Sequence, residues 1–141
     1  MLERSPPDVS DRPFALPNRE LITTVVDLPP PPSVNETRKI NWHAAKKLER
    51  WKKSADKLVL AAKSRSVNPL GLKKVPGRFE LRVVVSEHHT NMDLDNALKN
   101  IIDFLCRIEL ITDDGPKYMR RLIVEWGLAP EGCRVTITEL A

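Results

Sequence analysis

The stretch Arg78-Phe79-Glu80-Leu81-Arg82-Val83-Val84-Val85-Ser86, followed after a short connector by Asp93-Leu94-Asp95-Asn96-Ala97-Leu98-Lys99-Asn100-Ile101-Ile102-Asp103-Phe104-Leu105-Cys106-Arg107-Ile108, decides the fold. In its first part Phe79, Leu81, Val83 and Val85 alternate with Glu80, Arg82 and Val84, the period of two that marks a half-buried strand. In its second part Leu94, Leu98, Ile101, Leu105 and Ile108 recur at steps of three and four, which puts them on one face of a helix. A strand that feeds a helix requires a layered α/β arrangement, with the apolar helix face laid on a sheet.

Working outward, Asp113-Asp114-Gly115-Pro116 has turn composition, and two strand-like segments follow at Lys117 to Trp126 and Cys133 to Glu139. Upstream, Ala44, Leu48, Trp51, Ala55, Leu58 and Ala62 form the stripe of a first helix beginning near Asn41, and a loop from Ser64 to Gly77 separates it from the Arg78 strand. Glu20 to Leu28 has the β-branched composition of a strand and is stopped by Pro29 to Pro32, which cannot donate ladder hydrogen bonds and reads as extended polyproline leaving the sheet. The order is therefore β-α-β-α-β-β. It predicts one small α/β (α+β) domain over residues 20–141, a mixed sheet with two packed helices, preceded by a Pro-rich mobile tail over 1–19.

With 141 residues the chain is long enough for one such domain and too short for a large barrel. No apolar run approaches the roughly 18 residues of a membrane span. Two cysteines without a C-x-x-C pair, and no secretory signal at Met1, favour a reduced, cytoplasmic setting. The net charge of +4 conceals an uneven distribution. Residues 1–35 carry −2, residues 36–82 carry +10 (fourteen Lys and Arg against four acids), and residues 83–141 carry −4 (six bases against ten acids). Much of the positive block lies on the first helix, at Lys46, Lys47, Arg50, Lys52, Lys53 and Lys57. Such a run reads either as a solvated face or as a surface for a polyanion.

The negative block contains the residues best suited to chemistry. Asp93 and Asp95 bracket Leu94 at the start of the second helix, while Asp95, Lys99 and Asp103 follow at steps of four on one face. Two readings are open: acids in a first turn cap helices, and they also ligate cations. Asp113-Asp114 likewise reads as a turn or as a second pair of ligands. Oxygen-only donors of this kind suit Mg²⁺ or Mn²⁺ rather than zinc. His88-His89 points in two directions along extended chain, and the sequence has neither a Gly-rich phosphate loop nor a nucleophile elbow.

Taken together, Pro31-Pro32-Ser33-Val34-Asn35 after the first strand, Asp93-Leu94-Asp95-Asn96 with Lys99, Asp103 in the same helix, and Asp113-Asp114 resemble the RusA-type Holliday junction resolvases over roughly residues 24–140. The resemblance implies that Asp93, Asp95 and Asp114 match the family's catalytic, metal-binding carboxylates, that Lys99 matches its essential lysine, and that Asp113 is an auxiliary ligand. It further implies a homodimer that binds four-way DNA junctions and nicks two opposing strands with Mg²⁺ as cofactor, in DNA recombination and repair. On that reading Lys46, Lys47, Arg50, Lys53 and Lys57 become candidate phosphate contacts. The competing expectations are a nucleic-acid-binding module without catalysis, and a protein-interaction domain whose Pro29 to Pro32 segment is a ligand for a partner.

Overall fold

Alternation in Phe79–Val85 has the expected outcome in the computed structural model, which describes residues 20–32, 42–65, 72–89 and 94–141: Phe79, Leu81, Val83 and Val85 are all fully buried, and Arg82 is exposed. This strand is β2. It follows β1 (Thr23–Leu28) and α1 (Trp42–Arg65), and precedes α2 (Leu94–Arg107), β3 (Met119–Trp126) and β4 (Cys133–Glu139). The expected element order and the mixed-sheet α+β class hold. The tail assigned to residues 1–19 lies outside the described residues.

The four strands form one sheet in the order β1-β4-β2-β3. β4 lies antiparallel between β1 and β2, with Val26 opposite Val135 and Val83 opposite Val135 on its two sides. β2 and β3 are parallel, with Leu81 opposite Leu122 and Val83 opposite Val124. A parallel pair requires a crossover, and α2 supplies it.

One sheet face is covered by both helices. Cys133, Val135 and Ile137 of β4 and Val26 and Leu28 of β1 join the buried residues of β2 beneath Ile101, Ile102, Phe104 and Leu105 of α2. From α1 the buried set is Trp51, Ala55 and Val59, with Leu48, Leu58 and Ala62 half-buried, so the stripe is rotated slightly from the expected line through Leu58. The two helices meet where the Trp51 ring stands edge-on to Phe104, 5.3 Å between centroids, and where Arg107 pairs with Asp56 at 3.0 Å.

Among the described residues the opposite face bears a ladder of charges rather than a second layer: Arg134 grips Asp27 with two hydrogen bonds (2.8 and 3.2 Å), and Arg82 pairs with Glu125 at 2.8 Å. The Asp27 contact raises the Arg134 pKa, so the guanidinium stays charged throughout any accessible pH.

The proline run does not leave the sheet freely. Pro31 and Pro32 are buried, the Trp51 indole N–H donates to the Pro29 carbonyl at 2.9 Å, and Asn100 donates to the Pro32 carbonyl at 3.1 Å. Gly132, at φ 116°, passes so close to Pro30 that an added Cβ would lie 2.5 Å from the proline ring, which fixes glycine there on both counts. A segment tied down in this way offers little free polyproline surface, which removes support from the partner-ligand reading.

Candidate functional site

The acids after α2 are positioned by the way that helix stops. The Leu110 N–H donates to the Leu105 carbonyl (3.0 Å) and the Glu109 N–H to the Cys106 carbonyl (3.1 Å), with Glu109 at φ 64°. These are the paired bonds of a Schellman motif, with glutamate in the left-handed position that glycine usually takes. The turn directs Leu110 and Ile111 into the core, and the Val75 N–H donates to the Leu110 carbonyl at 2.9 Å. The chain then surfaces at Thr112, Asp113 and Asp114, all exposed.

Gly115 closes the arrangement. Its carbonyl accepts from the N–H groups of Tyr118 and Met119, both at 3.0 Å, which turns the chain into β3 and delays that strand to Met119 from the expected Lys117. A Cβ at Gly115 would lie 3.2 Å from the Asp113 carboxylate, so glycine lets that carboxylate fold back over the turn.

Burial and the neighbouring carboxylates of Asp114, Asp113 and Asp103 push the Cys106 thiol pKa up, against an opposing pull from Lys99. Four charges from two chain segments are therefore felt at one half-buried thiol. Lys99 and Asp103 are themselves paired at 3.1 Å along α2. Asp95 belongs to the first turn of this helix, one turn before Lys99 and, at 1.5 Å per residue, about 12 Å along the axis from Asp103. Its side chain, and the whole of Asp93, lie outside the described residues. Among the described residues no three His, Cys, Asp or Glu side chains lie close enough together to hold a metal ion.

Asn100, next to Lys99, is a contributor that periodicity alone does not mark. It is buried and holds the Pro32 carbonyl, which moors the end of the proline run to the candidate helix. The available signal is an amide among apolar helix positions. His88 and His89 are exposed in a turn after β2, where their N–H groups bond the Ser86 hydroxyl and carbonyl.

A second surface lies on α1. Lys46, Lys47, Arg50, Lys53 and Lys57 are all exposed. At 100° per residue, Lys46, Arg50, Lys53 and Lys57 fall within about 60° of arc, opposite the buried Trp51, Ala55 and Val59, with Lys47 to one side. The apolar stripe of this helix is thus core, and the basic stripe faces outward. Lys46 also lies 3.9 Å above the ring of Trp42, which is itself exposed.

No protein-family model matches the chain, and no curated protein matches it. Among the described residues no helix is long and apolar enough to cross a membrane.

Proposed function

We propose that the chain is a metal-dependent, structure-selective DNA endonuclease that resolves four-way junctions by paired nicks, as the RusA-type resemblance implies. The observation that supports this reading is that Asp113 and Asp114 surface as exposed carboxylates just after the turn that ends α2, the helix that carries the Lys99–Asp103 pair. The donors fit a hard divalent cation: Asp113 and Asp114 are exposed carboxylates, and the sequence adds Asp93 and Asp95. Mg²⁺ or Mn²⁺ held by Asp93, Asp95 and Asp114, with Asp113 auxiliary, would supply an activated water and charge stabilisation at the leaving 3′ oxygen.

The other steps belong to the chain itself. Lys99 offsets negative charge building up on the phosphorane oxygens, and Asp103 orients its ammonium group along the helix. The outward stripe of α1 holds duplex backbone without regard to base sequence, as a junction with several arms requires. Two nicks on opposing strands call for two such chains.

A synthetic four-way junction incubated with the protein and Mg²⁺ is expected to yield paired nicks, and D95N is expected to abolish cutting while junction binding persists. Binding without nicks on any branched substrate would instead support the non-catalytic module. Cutting by D95N at the parental rate would remove that carboxylate from the mechanism.

A further inference from the structure

The outward stripe of α1 begins with an aromatic ring. At 100° per residue, Trp42 falls about 20° from Lys53 and about 40° from Lys46, and about 180° from Trp51. Two indoles nine residues apart therefore have opposite fates. Trp51 is buried and donates its N–H to the Pro29 carbonyl, whereas Trp42 stands among the exposed cations and is 63% exposed.

The ring is held in place even though it is open to water. The Lys46 ammonium lies 3.9 Å from its centroid, and the His43 ring meets it at 75° with centroids 5.3 Å apart. Cation and imidazole leave most of the residue uncovered, so a flat apolar surface remains beside a row of positive charge. We infer that Trp42 stacks on an unpaired DNA base at the end of a duplex arm whose phosphates Lys46, Arg50, Lys53 and Lys57 hold. This inference rests on the reading of α1 as a DNA surface, and not on metal binding or cutting.

The chemistry of the two partners chooses the base. Lysine and arginine take hold of phosphates, which every duplex presents, but an indole gains from the flat face of a base. In a closed duplex those faces are stacked on one another, so the ring finds a partner only where a base is unpaired, at a branch point, a gap or an overhang. Position along the helix agrees. From Lys46 to Lys57 the stripe runs about 17 Å, the length of about five nucleotides of one duplex strand. Trp42 lies about one turn beyond Lys46, at the end of the row, where it meets bases as the duplex stops without obstructing the backbone behind it. Stacking on one face of the indole also leaves the other to Lys46, whose ammonium is then free to meet the phosphate next to the stacked base.

Three probes test it on the full chain without Mg²⁺: a short oligothymidylate strand, the same strand with abasic sites in place of its bases, and a relaxed, covalently closed circular duplex. The strand should quench tryptophan fluorescence, and removing its bases should weaken binding about fivefold or more. W42A should lose the same factor on the intact strand and nothing further on the abasic one, with an unchanged salt slope because no charge is removed. W42F should restore affinity to within about twofold while the quench disappears, which also shows the position to be tolerant of substitution. The closed circle should bind the parent, W42A and W42F alike. Indifference of the parent to the abasic sites, parental affinity of W42A for the strand, or an equal loss by W42A on strand and circle would each overturn the stack while leaving the basic stripe as a DNA surface. A parent that binds neither strand nor circle would remove that surface itself, and the stack with it.

Discussion

Lys99 Nζ lies 3.1 Å from Asp103 Oδ1, one turn further along α2, and both side chains are about half exposed to water. The lysine is therefore held along the helix axis rather than left to sweep freely. If it stabilises charge at the phosphate, K99A should lower junction cutting by about a hundredfold or more, with little change in thermal stability. D103N should give a smaller loss, visible at saturating DNA, because the ammonium group remains but is less well oriented. Single-turnover cleavage of both variants decides the point. Equal losses, or none, would detach Lys99 from the chemistry.

The outward stripe on α1 makes a prediction about salt. Each phosphate that a variant no longer neutralises lowers the slope of log K against log salt by about 0.9. K53A/K57A should therefore reduce the slope magnitude by about 2 and weaken binding to junction and duplex alike. A fluorescence titration at several salt concentrations measures it, and an unchanged slope would make the stripe a solvated face only.

Cys106 offers a reporter of the acidic turn that is independent of cutting. Its pKa is raised by burial and by Asp114, Asp113 and Asp103, so at pH 8 its thiolate fraction, and hence its labelling rate, should be below that of a free cysteine. Neutralising the carboxylates removes their part of the shift. D113N/D114N, or Mg²⁺ bound by the native acids, should accelerate labelling about two- to fivefold. Cys133 is an internal control, since burial, with a smaller push from Asp27, raises its pKa to about 12 and should keep it unlabelled in the folded protein.

Glu109 sits at a strained position in the turn that delivers Asp113 and Asp114. A side chain at φ 64° carries a steric cost that glycine does not, so E109G should stabilise the fold by about 1 kcal/mol in denaturant unfolding. Labelling of Cys106 should stay unchanged, because the path of the backbone is preserved.

Much of this architecture is readable from residue type and spacing. Period two in Phe79–Val85 and period 3.6 in the helix after it specify a strand and its packed neighbour, and Cys133–Glu139 alternates in the same way. Three features escape that kind of reading. Strand order depends on contacts between distant segments, and nothing local says that Cys133–Glu139 inserts between β1 and β2. The α2 terminus lacks the glycine that announces a Schellman turn, so the turn that leads the chain from Cys106 to Asp113 and Asp114 is hidden behind Glu109. The proline run reads as a free extended segment because proline lacks a donor, yet its carbonyls still accept, and Trp51 and Asn100 use them.

The central place of β4 bears on how the molecule is made. During synthesis β1 and β2 emerge well before Cys133, and among the described residues neither has another antiparallel neighbour in the sheet to wait with. Until Glu139 clears the ribosome, the nascent chain has its helices and the β2–β3 pair but no means of recruiting β1, with more than a hundred residues between partners such as Thr24 and Ile137. Completion of the sheet is thus a late, long-range event that closes both sides of β4 together, and a chain halted before it would leave strand edges open to aggregation.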